Sequence, residues 1–397
     1  MSGINDFEVV AVNESDVNLV DEDGNLEDQS QAAPAQGLSP EEVAEIASNL
    51  KRVDLSPCTH FLSTGCTLLD LGIADRLPGG FGGGRISHVY GKESTSKTVL
   101  MMEALGSAQR QGGKAYCEDA ELTFDFPRAK LFGVDVEDDS KWQYACPTSL
   151  EDLWDKHVVK ILGERTKKSP HGIVGVDSLS ALPSLKEIGS ALGAKSYGTS
   201  RSKIQSEAFR KYLHAVNDKN LAMLFIDQTR TDINVQFGDP DTVSGGKALS
   251  FYASTRVKLT YTGKILNEHK VPVGVEIKFT VVKNKIAPPF RSGKFRLLFD
   301  FGICDISSNL MWLKDWDKEE YAAQKEEDKK KKDEKKDEKK EKKNPVYVFG
   351  GEKKRNLATM VQFIEESGLE DTLRSRVESV WHDVHSTRKR KDKKRWN

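Results

Sequence analysis

Short apolar runs bounded by glycine and polar residues recur through the middle of this chain. Lys114–Cys117, Gln143–Cys146, Ile173–Val176, Met223–Ile226, Val257–Tyr261, Val275–Val282 and Phe295–Phe299 each read as a strand. Between the earlier runs the apolar spacing changes to a helical period, over Leu150–Leu162 and Arg201–Val216. In the second of these, Ile204, Ala208, Phe209, Tyr212, Leu213 and Val216 fall on one stripe. Strands alternating with helices predict crossover units on a parallel sheet, so the fold class is α/β. The later strands follow one another through short turns and are expected to extend that sheet antiparallel.

The pattern fades towards both ends. Residues 1–38 are acidic, rich in Gln and Ala and poor in large apolar groups, and are expected to be disordered. Ser39-Pro40-Glu41-Glu42 is a helix start, with Ser as the N-cap, Pro at the first helical position and acids in the first turn. Val43, Ile46, Ala47 and Leu50 share one face of that helix, which places residues 39–60 as an N-terminal arm. A core over residues 61–316 follows. Residues 317–344 are almost wholly Lys, Glu and Asp and read as a charged linker. In residues 345–397, Leu357, Met360, Val361, Ile364, Leu369, Leu373, Val377 and Val380 have helical spacing. A unit of that size buries little core alone, so it is expected to dock on the rest or to stay marginal.

Charge changes this picture more than composition does. The 397 residues carry a formal net charge of only −1. No Lys or Arg precedes Lys51, however, while Arg388-Lys389-Arg390-Lys391 and Lys393-Lys394-Arg395 form a basic tail. A basic tail suggests a polyanionic partner, and removing residues 381–397 is expected to weaken its capture and flatten the salt dependence. Cys58, Cys66, Cys117, Cys146 and Cys304 lie far apart without a Cys-x-x-Cys pair, which argues against a zinc site and a disulfide framework. With neither a long apolar span nor a basic-then-apolar leader, the expected setting is a soluble, cytoplasmic one without a membrane partner.

The chemistry gathers around Arg85–Thr98. An alternating run, Arg85-Ile86-Ser87-His88-Val89-Tyr90, enters Gly91-Lys92-Glu93-Ser94-Thr95-Ser96-Lys97-Thr98, and Val99 to Leu105 continues as an amphipathic helix. Strand, Gly-led loop and helix in that order make a phosphate-binding loop, because amide groups and the positive dipole end converge on an anion. Lys97 would reach the outer phosphates and the Thr98 hydroxyl a magnesium ion. Ser96 stands where Gly is expected, which a serine should tolerate only if the loop backbone is relaxed. Asp177 closes Ile173-Val174-Gly175-Val176, a strand expected beside the loop, as a magnesium-binding carboxylate would. Glu118, Asp119 and Glu121 follow another strand, and one of them could activate a water; spacing does not separate them. Gln228 ends a third strand, where it could sense a terminal phosphate. Thr229–Lys247 after it reads as one long polar loop, functional or disordered, and the segment Lys186–Lys203, with Lys186, Lys195, Arg201 and Lys203, could track a phosphate backbone.

Several stretches resemble the RecA family of strand-exchange recombinases. They are Phe61-Leu62-Ser63-Thr64-Gly65-Cys66-Thr67-Leu68-Leu69-Asp70, the loop within Val89–Leu100, Asp119-Ala120-Glu121, and Val176-Asp177-Ser178-Leu179-Ser180-Ala181-Leu182. The most distinctive are Phe237-Gly238-Asp239-Pro240-Asp241-Thr242, the run Gly245 to Ser254, and Val281-Val282-Lys283-Asn284-Lys285-Ile286-Ala287-Pro288-Pro289-Phe290. The similarity covers roughly residues 60–305 and implies a RecA-like ATPase core, a mostly parallel twisted sheet flanked by helices and extended by antiparallel strands, with flexible charged termini.

The resemblance also implies roles. Glu121 becomes the water-activating base, and Lys97, Gln228, Lys283 and Lys285 act in turnover, the last two on a neighbouring subunit's nucleotide. Gly91, Lys92, Glu93, Ser94, Thr95, Ser96, Lys97, Thr98, Val99 and Asp125 would hold ATP, the last at its adenine, and Thr98 and Asp177 Mg2+. Lys186, Lys195, Arg201, Arg230, Gly245, Gly246 and Lys247 would contact DNA through two loops. Single- and double-stranded DNA, a helical filament of the chain itself, and mediator and single-strand-binding proteins are the implied partners. The relaxed position 96, the acidic N-terminus and the basic end resemble virus-encoded, UvsX-like members acting in a host cytoplasm. Rival expectations are a helicase motor or recombination mediator on the same core, and a single-strand-binding protein that has lost hydrolysis.

Overall fold

Strands whose side chains are buried on both faces need cover on both faces, and the central strands here are of that kind. A computed structural model describes residues 58–191, 198–231, 241–243, 248–317 and 347–386. The N-terminal arm, the charged linker, the basic tail and the two stretches 192–197 and 232–240 therefore lie outside the described residues, as do positions 244–247.

The strands are β1 (Phe61–Leu62), β2 (Phe81–Gly82), β3 (Ile86–Gly91), β4 (Ala115–Asp119), β5 (Trp142–Ala145), β6 (Gly172–Asp177), β7 (Leu221–Thr231), β8 (Asp241–Val243), β9 (Thr255–Leu266), β10 (Pro272–Asn284), β11 (Ser292–Leu298), β12 (Gly302–Ile303), β13 (Tyr347–Phe349) and β14 (Glu352–Lys354). The main sheet is ten-stranded, in the order β12-β11-β10-β9-β3-β7-β6-β4-β5, with β8 paired to β7. From β9 through β5 the neighbours run parallel; from β9 through β12 they run antiparallel. Each strand expected from the apolar runs is present, and the antiparallel extension lies where the short turns placed it.

Alternation along the strands divides the core in two. Val89, Cys117, Ile173, Leu224 and Ile226 face one apolar cluster, and Tyr116, Val174, Val176, Met223 and Phe225 face the other. Over the first lie helices α1 (Thr67–Ala74) and α2 (Lys97–Arg110). α3 (Phe126–Leu131) follows β4. The second face is covered by a wide turn, Asp152–Val158, running into α4 (Val159–Gly163), and by α6 (Gly198–Asp218) and α7 (Ala248–Tyr252), with the short α5 (Leu185–Ile188) preceding α6. α2 crosses β6 so closely that a Cβ on Gly175 would lie 2.7 Å from the Met101 sulfur.

β7 lies between β6 and the loop-bearing strand β3, and β6 still ends beside the loop, with Asp177 3.0 Å from Thr98. One expectation is corrected. Thr229–Lys247 is not one continuous loop: Thr229, Arg230 and Thr231 extend β7 and pair with Val243, Thr242 and Asp241. The β-branched Thr229, Thr231, Thr242 and Val243 favour that ladder.

Helix α8 (Asp305–Trp316) follows β12, and beyond the undescribed stretch come α9 (Leu357–Glu366) and α10 (Glu370–His385). Their Met360, Ile364, Leu373, Val377, Val380 and Trp381 join the same cluster as Phe279, Phe295 and Leu310. Polar contacts fix this packing. Asp305 accepts from the Thr67 amide at 2.8 Å and its hydroxyl at 2.7 Å, so it caps α1 from another helix. Arg376 grips Asp317 through two hydrogen bonds of 2.7 and 2.8 Å. Asp75, at the left-handed end of α1, accepts from the Arg291 guanidinium and from the Trp381 indole at 3.3 Å. All five cysteines are free, with Cys66 and Cys117 buried.

Candidate functional site

β3 carries the chain to the carboxyl edge of the sheet, where open α/β folds bind their ligands. Gly91 is needed at its end: a Cβ there would lie 2.5 Å from the Leu259 carbonyl oxygen and 2.8 Å from the Thr95 hydroxyl. The loop then turns through two left-handed residues, Ser94 (φ 57°) and Ser96 (φ 67°), before α2 begins at Lys97. The expectation that a serine at 96 requires a relaxed backbone is overturned, since Ser96 adopts the conformation that favours glycine. Its side chain makes no capping bond to compensate.

Lys97 folds back over the loop, its Nζ donating to the carbonyls of Lys92 at 2.8 Å and Gly91 at 3.2 Å. Burial lowers its pKa, opposed by the carboxylates of Asp177 and Glu121. At the next residue of α2, the Thr98 hydroxyl donates to Asp177 Oδ2 at 3.0 Å. Burial and the nearby Glu121 charge raise Asp177 to about 7, against the Thr98 hydrogen bond and the Lys97 charge. A hydroxyl and a carboxylate so placed are the oxygen donors a small hard cation takes alongside phosphate and water.

Geometry separates the three acids that spacing leaves open. Glu118 and Asp119 are neighbours on β4 and point to opposite faces. Glu118 is buried against His157, its Oε2 2.6 Å from Nδ1, and burial raises its pKa. Asp119 accepts from the amides of Glu121 at 3.2 Å and Phe124 at 2.9 Å, and from the Tyr144 hydroxyl at 2.9 Å, so it shapes the turn. Glu121 alone of the three lines the cleft; its Oε1 accepts from the Ser178 hydroxyl at 2.8 Å.

Glu93 to Val99, Glu121, Asp125, Asp177 and Gln228 line one cavity of about 940 Å³. Asp125 also caps α3, accepting from the Arg128 amide at 3.0 Å. The far wall comes from the antiparallel extension, with Val275, Leu297, Phe299 and Asp300. No local spacing marked those four, because they meet the loop only through sheet order.

The remaining candidates lie elsewhere. Lys283 Nζ donates to the carbonyls of Ser250 at 2.8 Å and Phe251 at 2.7 Å, and Lys285 is exposed; neither lines this cleft. Lys186 is exposed on α5. Arg201 directs its guanidinium to the carbonyls of Ser180 at 2.9 Å and Leu179 at 3.3 Å. Arg230 is described only as backbone in β7, and Lys195, Gly245, Gly246 and Lys247 lie outside the described residues. Reading the sequence missed His88, Asp227, Ser178 and Ser180; a charge at 227 inside an apolar strand was the signal available.

Among the described residues no helix is long and apolar enough to cross a membrane. The RecA protein of Leptospira meyeri is 37% identical over 244 residues, 62% of this chain and 60% of that protein. Those of Thioalkalivibrio sulfidiphilus and Chlorobaculum parvum are each 36% identical over 242 residues, 61% of this chain and 67% and 66% of theirs. A family model, the RecA N-terminal domain, matches residues 50–304, the span that builds the sheet and its cleft. On a match over more than half of its length, this chain belongs to the RecA family.

Proposed function

We propose that this protein is an ATP-dependent DNA recombinase, which assembles as a helical filament on single-stranded DNA and exchanges that strand into a homologous duplex. The observation that carries this reading is the convergence of Lys97, Thr98, Glu121, Asp177 and Gln228 on one cleft at the carboxyl edge of the sheet. The loop from Gly91 to Val99 would hold the phosphates of ATP, with Asp125 towards its base. Thr98 and Asp177 would hold Mg2+, which would neutralise phosphate charge when bound. Glu121 would take the proton from the attacking water, and Gln228 would sense the terminal phosphate from the strand that leads into residues 232–240. Lys283 and Lys285 would serve a neighbouring protomer's nucleotide, which accounts for their distance from this chain's own cleft. Lys186, Lys195, Arg230 and the Gly245-Gly246-Lys247 run would meet DNA. Residues 39–60 would act as the arm between protomers, and the basic tail and position 96 support a virus-encoded origin.

Electron microscopy of the full chain with ATP and single-stranded DNA tests the reading, with continuous helical filaments expected. Closed rings would favour a helicase motor instead. ATP turnover should rise when DNA is added, and turnover absent under both conditions would favour a strand-binding protein without hydrolysis. Lys97→Ala should abolish turnover; a variant as active as the parent would refute the loop assignment.

A further inference from the structure

A chain of polar contacts runs beneath the cleft, across four strands, and ends on Glu121. It begins on β9 with Arg256, whose Nε donates to His88 Nδ1 at 3.3 Å. A permanently charged donor at Nδ1 leaves the imidazole proton on Nε2, and Nε2 lies 3.1 Å from Asp227 Oδ2. His88 and Asp227 are 1% and 2% exposed, so each needs this partner. The other oxygen of Asp227 accepts from the Ser180 amide at 3.2 Å. Ser180 and Ser178 hydroxyls are 2.9 Å apart. Ser178 commits its only proton to Glu121 at 2.8 Å, so Ser180 must donate to Ser178.

The same turn is held from a third side. Arg201 donates to the carbonyls of Leu179 and Ser180, at 3.3 and 2.9 Å. Asp227 comes from the strand entering residues 232–240, and Arg201 from the helix that follows residues 192–197. Strand β7 and helix α6 are thereby both tied to one three-residue turn next to Asp177.

We propose that Ser178-Leu179-Ser180 is a junction at which His88, Asp227 and Arg201 together fix the position of Glu121. These are positioning residues, and none of them lines the cleft. The proposal rests on the reading of Glu121 as the base. Its polarity excludes a proton relay, because the Ser180 amide donates to Asp227 and the hydroxyl donors point towards Glu121. The junction holds a carboxylate in place and leaves the proton transfer to it.

The test uses the full chain and two readouts. Ser180→Ala removes one hydroxyl from a half-buried position and should lower ATP turnover by up to about tenfold, with the KM for ATP within about twofold, the loss expected of one hydrogen bond between neutral hydroxyls. Ser180→Thr should restore turnover to within about twofold. Asp227→Asn removes the charge that both His88 Nε2 and the Ser180 amide face, so it should lower turnover similarly. It should also speed amide hydrogen exchange in peptides covering residues 178–182 by about tenfold. The double variant should cost no more than the larger single change, because both act through one turn. Turnover of Ser180→Ala at the parental rate, or unchanged exchange in Asp227→Asn, would overturn the junction. If the parent protein itself turns over no ATP, the reading of Glu121 falls, while the exchange measurement still decides whether Asp227 holds the turn.

Discussion

Ser96 holds a left-handed backbone that costs a residue with a Cβ roughly 1–2 kcal/mol. Glycine avoids that strain but loses about 0.5–1 kcal/mol in chain entropy. Ser96→Gly should therefore leave unfolding stability unchanged or raise it by up to about 1 kcal/mol, whereas a branched Cβ in Ser96→Val should lower it by at least about 1 kcal/mol. Chemical denaturation of the three proteins checks this. Asp177 gives a second residue-scale prediction. Its folded pKa is about 7, against an ordinary 3.8. Between those values the folded state keeps a proton that the unfolded state has shed, so stability is eroded as pH rises through the window and the loss is complete above it. Asp177→Asn has no proton to lose. In nucleotide-free protein it should match the parent near pH 4 and exceed it by about 1–3 kcal/mol at pH 8, allowing for partial exposure of the carboxyl. Urea titrations at the two pH values read the difference, and an advantage at pH 4 instead would contradict the raised pKa.

At the scale of elements, strands were legible wherever an apolar run was bounded by polar residues, and this covers the whole parallel sheet. Other elements left no such mark. All eight residues of α1 are buried, so it has no polar face and no visible period. β1, β2 and β12 have two residues each, too few to alternate. Lys97, Thr98 and Asp177 were legible because a loop motif and a strand end fix them locally. The choice among Glu118, Asp119 and Glu121 was not, because it depends on which face of β4 is which and on the turn that Asp119 shapes. The contact of α1 with α10 was equally invisible, yet it supplies a prediction. Arg291 is 9% exposed and depends on Asp75 at the end of α1. Asp75→Ala should leave that guanidinium buried without its partner and cost about 3 kcal/mol in unfolding stability. A loss below about 1 kcal/mol would mean that the Asp75 contacts add little to holding α10.

For the molecule as a whole, the C-terminal helices are part of the principal core, and this corrects where the chain can be shortened. Trp381 is fully buried, so deleting residues 381–397 would remove a core side chain along with the basic tail. That deletion should cost about 3–5 kcal/mol, as large-to-small changes at buried aromatics do. Deleting only residues 387–397 removes Arg388 to Lys391 and Lys393 to Arg395 and should leave the unfolding midpoint in place. If the tail captures duplex DNA, the shorter deletion should weaken binding and reduce its salt slope; unchanged affinity across a salt series would exclude that role. The burial of Cys66 and Cys117 has a practical corollary. Both thiols are pushed well above their usual pKa by desolvation, so neither forms the thiolate that maleimides attack. Intact-mass measurement after alkylation of the native protein should count no more than three adducts, at Cys58, Cys146 and Cys304. A fluorophore can then be addressed to a single chosen position after replacing those three alone.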